Sequence, residues 1–457
     1  MKVDVLVAEI GSTTTVVNAF NDLHTEDPKF IGQGQAPTSV KEGDVNIGLK
    51  GAIDSLKKNM KWDDLAYDEL MATSSAAGGL KMTVHGLVYD MTVRAAKEAA
   101  LGAGANIHLV TAGRLRRTDK KKILDVEPNI ILIAGGVDYG ERDTAIFNAE
   151  QIAAMDLRVP VIYAGNIENQ DEIKEIFEEE GKGDFLFLVD NVYPKIDLLN
   201  VEPTRAVIQD VFEEHIIHAP GMEHIHDIVN GPIIPTPGAV MEASKLLKED
   251  LGDLITLDVG GATTDLHSVT EGSEEVSRIL LSPEPVAKRT VEGDLGVYVN
   301  MCNIVDLIGV PKLASDMEMD EEQVHYLIDN HMPIPMTDDQ KVFVERLTKE
   351  AVVVASDRHA GGFRDLYGGG GKKTLAEGKD LTGIQYIIGT GGALTRLPNR
   401  KEILEKIALS NKGNKLLPNA ECTILIDNDY IMASLGVLSK EFPEAALRLM
   451  RKSLELS

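Results

Sequence analysis

The sequence has few cysteines, and the two that occur are far apart. Cys302 and Cys422 are the only cysteines among 457 residues, and neither belongs to a Cys-x-x-Cys motif. One chain therefore cannot build a cysteine-ligated zinc site or iron–sulfur cluster. This excludes functions that depend on such a centre within one chain.

The sequence is also poor in basic residues and in long apolar runs. Lys and Arg number 46 against 73 Asp and Glu, which gives a net charge of −27. Such a surface repels nucleic acid and anionic membranes. No stretch approaches the apolar length that spans a bilayer, and the N-terminus has no signal-peptide pattern. We expect a cytoplasmic protein that binds neither nucleic acid nor membrane.

The most informative stretch covers residues 254–268, where an apolar strand ends in Asp258 and a tight turn leads into a second strand. Glycines in the turn let backbone N–H groups approach an anion, threonines add hydroxyl donors, and Asp258 can hold a hydrated cation or orient a water. The pattern predicts Mg-nucleotide binding. Alone, however, such a pattern is more often an ordinary hairpin turn. The predicted phosphate-binding residues are Gly260, Gly261, Ala262 and Thr263.

A second copy near the N-terminus favours the functional interpretation. The two stretches align Glu9 with Asp258, Gly11 with Gly260, Ser12 with Gly261, Thr14 with Thr263 and Thr15 with Thr264. The sequence thus contains an internal repeat of one strand–turn–strand motif. We predict that the first copy binds phosphate through Gly11, Ser12, Thr13 and Thr14.

A third glycine-rich stretch follows the apolar strand at residues 386–388. Gly389, Gly391 and Gly392 precede a predicted helix, and the absence of side chains there permits a nucleoside to pack against the backbone. Two phosphate hairpins and an adenosine loop, in this order, form a specific pattern.

With these motifs the sequence resembles the ATPase superfamily of actin, sugar kinases and heat-shock chaperones. It is more closely similar to the GlmL/MutL family over nearly the whole chain, through motifs at residues 9–13, 72–80, 134–138, 258–265, 289–296 and 389–393. Members of that family accompany adenosylcobalamin-dependent mutases and aminomutases as ATP-dependent reactivating chaperones, and share only a name with a mismatch-repair protein.

The resemblance implies an α/β fold: a two-lobed actin-like ATPase with ribonuclease H-like lobes and an inserted parallel α/β domain. Residues 1–86 would begin lobe I, 87–200 would form the inserted domain, 201–250 would be a helical connector that completes lobe I, and 251–457 would form lobe II. The alternation of buried strands and helices between about 87 and 197 independently indicates a parallel layer.

The resemblance also implies a mechanism in which ATP and Mg²⁺ bind in a cleft between the lobes. Asp258 is the first choice for positioning the attacking water or hydrated Mg²⁺, and Glu9 is the second. Most relatives carry aspartate where Glu9 stands. Asp265 is expected to order the second hairpin. Hydrolysis would drive opening of the lobes and release of damaged cobalamin from mutase subunits. Whether the active form is a homodimer stays open.

Two further groups of residues have alternative interpretations. Lys288 and Glu292 either approach the nucleotide or form an ion pair, and we predict a nucleotide contact for Glu292. The loop with Gly135, Gly136, Asp138 and Arg142 follows a buried strand, and either contacts a ligand or partner or simply permits the turn.

Several local patterns are rejected as sites. The run Gly368–Thr374 lacks the glycine and hydroxyl positions of a P-loop, so we expect a mobile surface loop. His215, His218, His224 and His226 form no His-Glu-x-x-His motif, and Asp265-Leu266-His267 has Thr270 where a cobalamin motif needs glycine. The C-terminal helix is expected to pack on its own lobe.

Two other functions remain open on sequence grounds. A small-molecule kinase of the same fold would use Asp258 or a neighbour to deprotonate a substrate hydroxyl. A filament-forming or membrane-attached ATPase scaffold would use the C-terminal helix.

Overall fold

The chain forms two compact units. The computed structural model describes residues 1–11, 14–75, 80–216, 221–368 and 371–456. Unit 1 comprises Met1–Glu242 and Ala433–Ala446, and unit 2 comprises Ala243–Met432 and Leu447–Ser457.

Among its described residues, the 1–242 part of unit 1 contains ten strands and seven α-helices, and the last of these helices continues into unit 2. The strands are β1 (Lys2–Ile10), β2 (Thr14–Asn21), β3 (Lys29–Pro37), β4 (Ala66–Ser74), β5 (Lys81–Gly86), β6 (Asn106–Ala112), β7 (Ile130–Ile133), β8 (Val161–Tyr163), β9 (Leu186–Leu188) and β10 (Ile233–Pro235). The helices are α1 (Val45–Met60), α2 (Arg94–Gly102), α3 (Arg117–Val126), α4 (Asp143–Ala153), α5 (Gln170–Glu179), α6 (Glu202–Ile216) and α7 (Thr236–Leu251).

The first sheet of unit 1 has the order β10-β4-β1-β2-β3. Strands β1, β2 and β3 are antiparallel neighbours, whereas β4 and β10 run parallel to β1. Helix α1 covers this sheet because buried Leu49, Ala52 and Leu56 recur at helical spacing. Gly34 permits the close approach, since a Cβ there would overlap the α1 backbone. Strand β10 lies in the segment predicted to be helical; its three residues are too short to leave a strand pattern.

The second sheet is entirely parallel, with the order β6-β5-β7-β8-β9. Its central strand β7 is buried at all four residues, as expected of a layer covered by helices on both faces. Because β5 belongs to this sheet, the layer includes residues before the predicted start at residue 87. In chain order the strands read 2-1-3-4-5, a doubly wound arrangement.

Unit 2 begins within α7 and contains seven strands: β11 (Leu254–Val259), β12 (Thr264–Val269), β13 (Ala287–Glu292), β14 (Gly362–Gly368), β15 (Gly371–Glu377), β16 (Tyr386–Thr390) and β17 (Thr423–Ile426). The remaining helices are α8 (Glu274–Ser277), α9 (Met301–Ile308), α10 (Val310–Met317), α11 (Glu321–Asp329), α12 (Asp338–His359), α13 (Gly391–Arg396), α14 (Arg400–Leu409), α15 (Met432–Leu438) and α16 (Pro443–Ser453). Helices α15 and α16 each contain a boundary between the units.

The main sheet of unit 2 repeats the first sheet of unit 1. Its order is β13-β12-β11-β16-β17, with β11, β12 and β13 antiparallel and β16 and β17 parallel to β11. Helix α12 packs on it through the buried Phe343, Leu347 and Val352. Each unit therefore carries one lobe with the same strand order, which confirms the predicted two-lobed α/β fold.

Two peripheral segments bear on the sequence predictions. Residues predicted as a mobile loop form paired strands β14 and β15, since alternating side chains on both sides of the glycines permit a hairpin; Gly369 and Gly370 lie outside the described residues. Helix α16 buries Leu449 and Met450, and Leu454 beyond it is also buried, so the amphipathic tail packs on its own fold. No helix in the described ranges is both long and apolar enough to cross a membrane.

Candidate active site at the second hairpin

The two predicted phosphate hairpins are closed by the same backbone hydrogen bond. The N–H of Gly11 donates to the carbonyl oxygen of Thr14 at 3.0 Å, and the N–H of Gly260 donates to that of Thr263 at 2.9 Å. The aligned residues thus make the same turn bond. The internal repeat seen in the glycine spacing is a repeat of structure.

The second hairpin is held through its carbonyl groups. The Gly260 oxygen accepts from the Val297 N–H at 3.2 Å, and the Gly261 oxygen accepts from the Tyr298 and Val299 N–H groups at 2.9 and 2.7 Å. The Ala262 oxygen accepts from the Asn300 side chain at 2.8 Å. These bonds fix the turn against residues 297–300.

Two backbone N–H groups of the same turn have no hydrogen-bond partner among the described residues. Within the described part of the chain, no protein acceptor pairs with the N–H groups of Gly261 and Ala262. Gly261 is exposed and Ala262 is half-buried. Successive backbone N–H groups of this kind suit an anion, because they supply partial positive charge at fixed positions.

The first hairpin is supported by the residue that follows β3. The Thr38 hydroxyl donates to the Gly11 carbonyl at 2.8 Å and lies 2.9 Å from the Thr15 hydroxyl. Thr14 is exposed beside them. The predicted phosphate ligands Ser12 and Thr13 lie outside the described residues, as do Ala76–Gly79 of the small-residue run and His218 of the histidine group.

Asp258 is a carboxyl group with a strongly perturbed pKa. Burial, together with the neighbouring carboxylates of Asp265 and Asp427, raises the pKa of Asp258 to about 7, while Arg289 opposes this rise. Asp258 nevertheless keeps partial solvent exposure at the end of β11. A carboxyl group that changes its charge near neutral pH is suited to accept a proton from water.

A buried ion pair stands beside Asp258. The Arg289 side chain is only 1% exposed and binds the Asp265 Oδ1 atom through Nε at 2.9 Å and Nη2 at 2.6 Å. The Asp265 Oδ2 atom accepts from the Thr263 hydroxyl at 3.0 Å. Asp265 therefore ties the turn of the second hairpin to β13, in agreement with the ordering role expected from the sequence.

His267 extends this polar layer along β12. It pairs with Arg289 across the β12–β13 ladder, and neither ring nitrogen has a hydrogen-bond partner among the described residues. Burial lowers the pKa of His267 to about 3, with a further contribution from Arg289. The imidazole is therefore neutral at physiological pH and adds no positive charge beside Asp265.

Glu9 has a different environment from Asp258. Its Oε1 atom accepts from the Ser434 hydroxyl at 2.6 Å, the Ser434 backbone N–H at 3.2 Å and the Asn18 side chain at 3.3 Å. A carboxylate that accepts several bonds near the first turn of α15 is stabilised by the unpaired amides and the helix dipole. Within unit 1, Glu9 thus anchors α15 through Ser434.

The predicted adenosine loop passes next to Asp258. Gly391 has φ +84°, and a Cβ there would overlap the Asp258 carboxylate and the Val259 backbone. Gly389 is buried, and a Cβ there would lie 2.8 Å from the Leu404 side chain. Gly392 is exposed with open space around it. Gly391 thus serves the close approach of β16 to β11, and Gly392 offers free backbone surface.

Glu292 pairs with a residue outside its own strand. Its carboxylate accepts from Arg358 on α12 at 2.6 Å, and Arg358 also binds Asp294 at 2.7 and 2.9 Å. The bonds from Arg358 lower the pKa of Asp294. The ion pair between Lys288 and Glu292 is not formed; Lys288 binds Glu284 at 2.7 Å. Residues four apart on a strand are separated by about 13 Å, unlike residues four apart on a helix.

Sequence inspection missed three residues that shape this site. Arg289 and Asp427 act on Asp258 only because neighbouring strands bring them close, and Ser434 reaches Glu9 from 425 positions away. Asp427 follows β17 as Asp258 lies at the end of β11, and its carboxylate accepts from Thr390, Ile431 and Met432. The only local feature that could have indicated Asp427 is an acidic residue directly after a short apolar strand.

The chain matches known proteins over its full length. The family model described as MutL protein covers residues 5–454. "Protein MutL" of Clostridium tetanomorphum is 36% identical over 461 residues, which cover 98% of each chain. Among solved structures, the chain is similar to a diol dehydratase-reactivating factor (9% identity, TM-score 0.38, 96% of this chain and 100% of that chain). It is also similar to a glycerol dehydratase reactivase (11% identity, TM-score 0.34, 95% and 99%).

The repeated lobes and their paired hairpins define the class of actin-like ATPase folds. Within that class the chain belongs to the MutL protein family, because both the family model and the relative from Clostridium tetanomorphum span nearly all of it.

Proposed function

We propose that this protein hydrolyses ATP to reactivate an adenosylcobalamin-dependent mutase or aminomutase by releasing damaged cobalamin. The observation that carries the ATPase part is the position of Asp258, whose pKa is raised to about 7, beside a turn with unpaired backbone amides. Membership of the MutL protein family and the resemblance in the motifs support the choice of client.

Phosphate binding is the first part of the proposal. Gly261 and Ala262 supply N–H donors in the second hairpin, and Thr263 adds a hydroxyl whose position Asp265 holds. Gly11 and Thr14 make the matching turn in the first hairpin, so we assign the first hairpin, with Ser12 and Thr13, the same role. Such donors stabilise the charge that spreads over phosphoryl oxygens during transfer.

Water activation is the second part. Asp258 is ionised in part at neutral pH and has the partial exposure that a water needs to reach it. Its carboxylate accepts a proton from the attacking water as the oxygen–phosphorus bond to the γ-phosphate forms and the bond from that phosphorus to the bridging oxygen of the leaving ADP breaks. Arg289 limits the rise of the Asp258 pKa, so that enough ionised carboxylate remains near pH 7. Glu9 binds Ser434 of α15, and we assign it a structural role in this step.

The residues fit Mg²⁺ only as an ion held mainly by phosphate and water. Among the described residues no group of three His, Cys, Asp or Glu side chains could hold a metal ion directly. Mg²⁺ usually keeps several waters and takes one or two carboxylates together with phosphate oxygens. Asp258 would hold the hydrated ion, and the bound ion would neutralise phosphate charge.

Nucleoside binding is assigned to the loop after β16. Gly392 offers exposed backbone with open space, and Gly391 brings this loop against β11. Glu292 is half-buried and bonded to Arg358, so its proposed nucleotide contact would be made together with that arginine. Hydrolysis removes the γ-phosphate, a change of ligand that chaperone cycles use to change conformation.

The decisive experiment is reactivation of an inactivated mutase. Purified protein is mixed with ATP, Mg²⁺ and an adenosylcobalamin-dependent mutase inactivated by turnover, and mutase activity is scored after fresh cofactor is added. We expect recovery that requires hydrolysable ATP and fails with Asp258→Asn. ATP turnover without recovery of any tested mutase would contradict the client, and phosphate transfer to an added small-molecule hydroxyl would favour a kinase.

A further inference from the structure

The loops after the parallel strands of the second sheet expose an apolar surface. Parallel strands place all their carboxyl ends at one edge of the sheet. Apart from Leu124 and the strand residue Leu188, every large apolar side chain exposed between residues 81 and 200 lies on the loops at that edge. We call the following six residues the carboxyl-edge surface: Val88, Tyr89, Tyr139, Ile167, Ile196 and Leu198.

Internal hydrogen bonds hold three of these loops in place. The Asp138 Oδ1 atom accepts from the Ile167 N–H at 3.1 Å and from the Asn191 side chain at 2.9 Å. The Asn166 Oδ1 atom accepts from the Tyr139 N–H at 3.1 Å. The loops after β7, β8 and β9 are thus linked to one another. A surface fixed in this way loses little conformational entropy on binding.

Tyr139 combines a highly exposed ring with an unusual backbone conformation. It is 78% exposed and has φ +63°, in the left-handed region that side chains other than glycine rarely adopt. A large aromatic ring in water at a backbone position that costs energy has no role in the packing of this fold. Contiguous exposed apolar surface of this kind marks binding sites on soluble proteins.

Charges of opposite sign flank the apolar residues. Arg114, Arg116 and Arg117 follow β6 and are exposed, at one end of the strand order β6-β5-β7-β8-β9. Glu168 and Asp190 follow β8 and β9 at the other end and are also exposed. None of these five side chains has an ion-pair partner within the described ranges. Lys195 and Asp197 are also exposed after β9, and Asp90 and Glu141 lie exposed among the apolar residues, so the edge is basic at one end and acidic on balance at the other.

We propose that the carboxyl-edge surface binds a second copy of this chain about a twofold axis. A twofold interface brings one patch onto the same patch in reversed direction, so the basic end of each copy meets the acidic end of the other. The apolar middle, with Tyr89 and Tyr139, meets itself, as is usual in homodimers. The remaining surface of a chain with net charge −27 repels a second copy, which makes this orientation selective.

Charge exchange between two variants tests the orientation. In the first variant, Arg116→Glu and Arg117→Glu make the basic end acidic; in the second, Glu168→Lys and Asp190→Lys make the acidic end basic. We expect the full-length wild type to sediment as a dimer and each variant alone to dimerise at least about tenfold more weakly. An equimolar mixture restores opposite charges at both contacts, so native mass spectrometry should detect the heterodimer.

Two further variants separate the apolar contribution and the effect of charge alone. Tyr139→Asn removes the ring but keeps a residue that tolerates the left-handed region, and should weaken the dimer without changing basal ATP turnover. Lys401→Glu with Lys412→Glu changes charge by the same amount elsewhere and should leave the dimer intact. A monomeric wild type, or a mixture without heterodimer, overturns the proposal. Loss of mutase binding by Tyr139→Asn in a monomeric protein would likewise overturn it and assign the surface to the mutase.

Discussion

Asp258 and Asp265 are direct cross-strand partners in the antiparallel pair β11–β12. Two carboxyl groups so placed cannot both ionise cheaply, and Arg289 binds only Asp265 of the two with hydrogen bonds. Asp265 therefore carries the charge that Arg289 neutralises, whereas Asp258 keeps a pKa near 7. This division of roles is the basis for the predictions that concern Asp258.

Replacement of Asp258 by asparagine should slow ATP turnover by about tenfold or more, because a positioned general base contributes at least that much. Nucleotide affinity should change little, since the backbone donors of the hairpin remain. Steady-state phosphate release and fluorescent-nucleotide titration measure the two effects. Asp306→Asn, at an exposed position on α9, is the matched control and should behave like the wild type. Unchanged turnover in Asp258→Asn would remove Asp258 from the catalytic role.

The pH dependence of ATP hydrolysis should report the same carboxyl group. Below its pKa of about 7, Asp258 is protonated and cannot accept a proton, so kcat/KM should rise about tenfold per pH unit up to that pKa and then level off. The ratio kcat/KM is the quantity to measure because it reports the free protein. A flat profile between pH 5 and 8 would show that another group activates the water.

Asp258→Asn should also change the stability of the fold in a pH-dependent way. The pKa of Asp258 is higher in the folded state than its ordinary value near 4, so wild-type stability falls as pH rises from about 4 to 7. Asparagine stays neutral and avoids that loss. We expect its melting temperature to exceed that of the wild type by about 2 °C or more at pH 8, and the difference to vanish near pH 4. An equal difference at both pH values would contradict the assigned pKa.

Arg289→Met should lower the free energy of unfolding by about 3 kcal/mol or more, because it leaves the Asp265 carboxylate buried without its partner. The double variant Arg289→Met with Asp265→Leu should recover part of this loss. Arg364→Met removes an arginine whose pair with Glu377 is exposed, and should cost less than about 1 kcal/mol. Urea denaturation of the three variants measures these differences. Equal losses in the free energy of unfolding for Arg289→Met and Arg364→Met would show that the buried ion pair stabilises the fold no more than the exposed pair does.

Gly391→Ala and Gly392→Ala should have different effects although the positions are adjacent. A Cβ at Gly391 overlaps Asp258 and strains a backbone with φ +84°, so this variant should lose stability and ATP binding together. A Cβ at Gly392 meets only open space, so that variant should keep its stability and lose ATP affinity about tenfold if the nucleoside packs there. Thermal melts with and without ATP separate the two. Full ATP affinity in Gly392→Ala would place the nucleoside elsewhere.

Local residue patterns were sufficient for the repeated elements of this protein. The spacing of Gly11 and Thr14 matches that of Gly260 and Thr263, and the structure shows the same turn bond in both. A turn is formed by residues close in sequence, so its signal is local. The same holds for α1, which begins after Asp44 and buries Leu49, Ala52 and Leu56 at helical spacing.

Pairing between distant residues was beyond such patterns. An ion pair between Lys288 and Glu292 was one of two alternatives, but these residues lie on a strand and bind Glu284 and Arg358 instead. Nothing near Glu9 in the sequence indicates that Ser434 completes its environment. Side-chain partners of this kind depend on which strands and helices become neighbours.

The sequence by itself determined the class of fold, the two hairpins and the choice of Asp258, because glycine spacing, strand composition and an acidic residue at a strand end act through local backbone geometry. Only the tertiary structure decided that Arg289 neutralises Asp265, that the pKa of Asp258 lies near 7 and that the sheet edge with the carboxyl-edge surface is basic at one end and acidic on balance at the other. Electrostatic interaction depends on distance in space and on burial, and both are set by strand order and packing rather than by position along the chain.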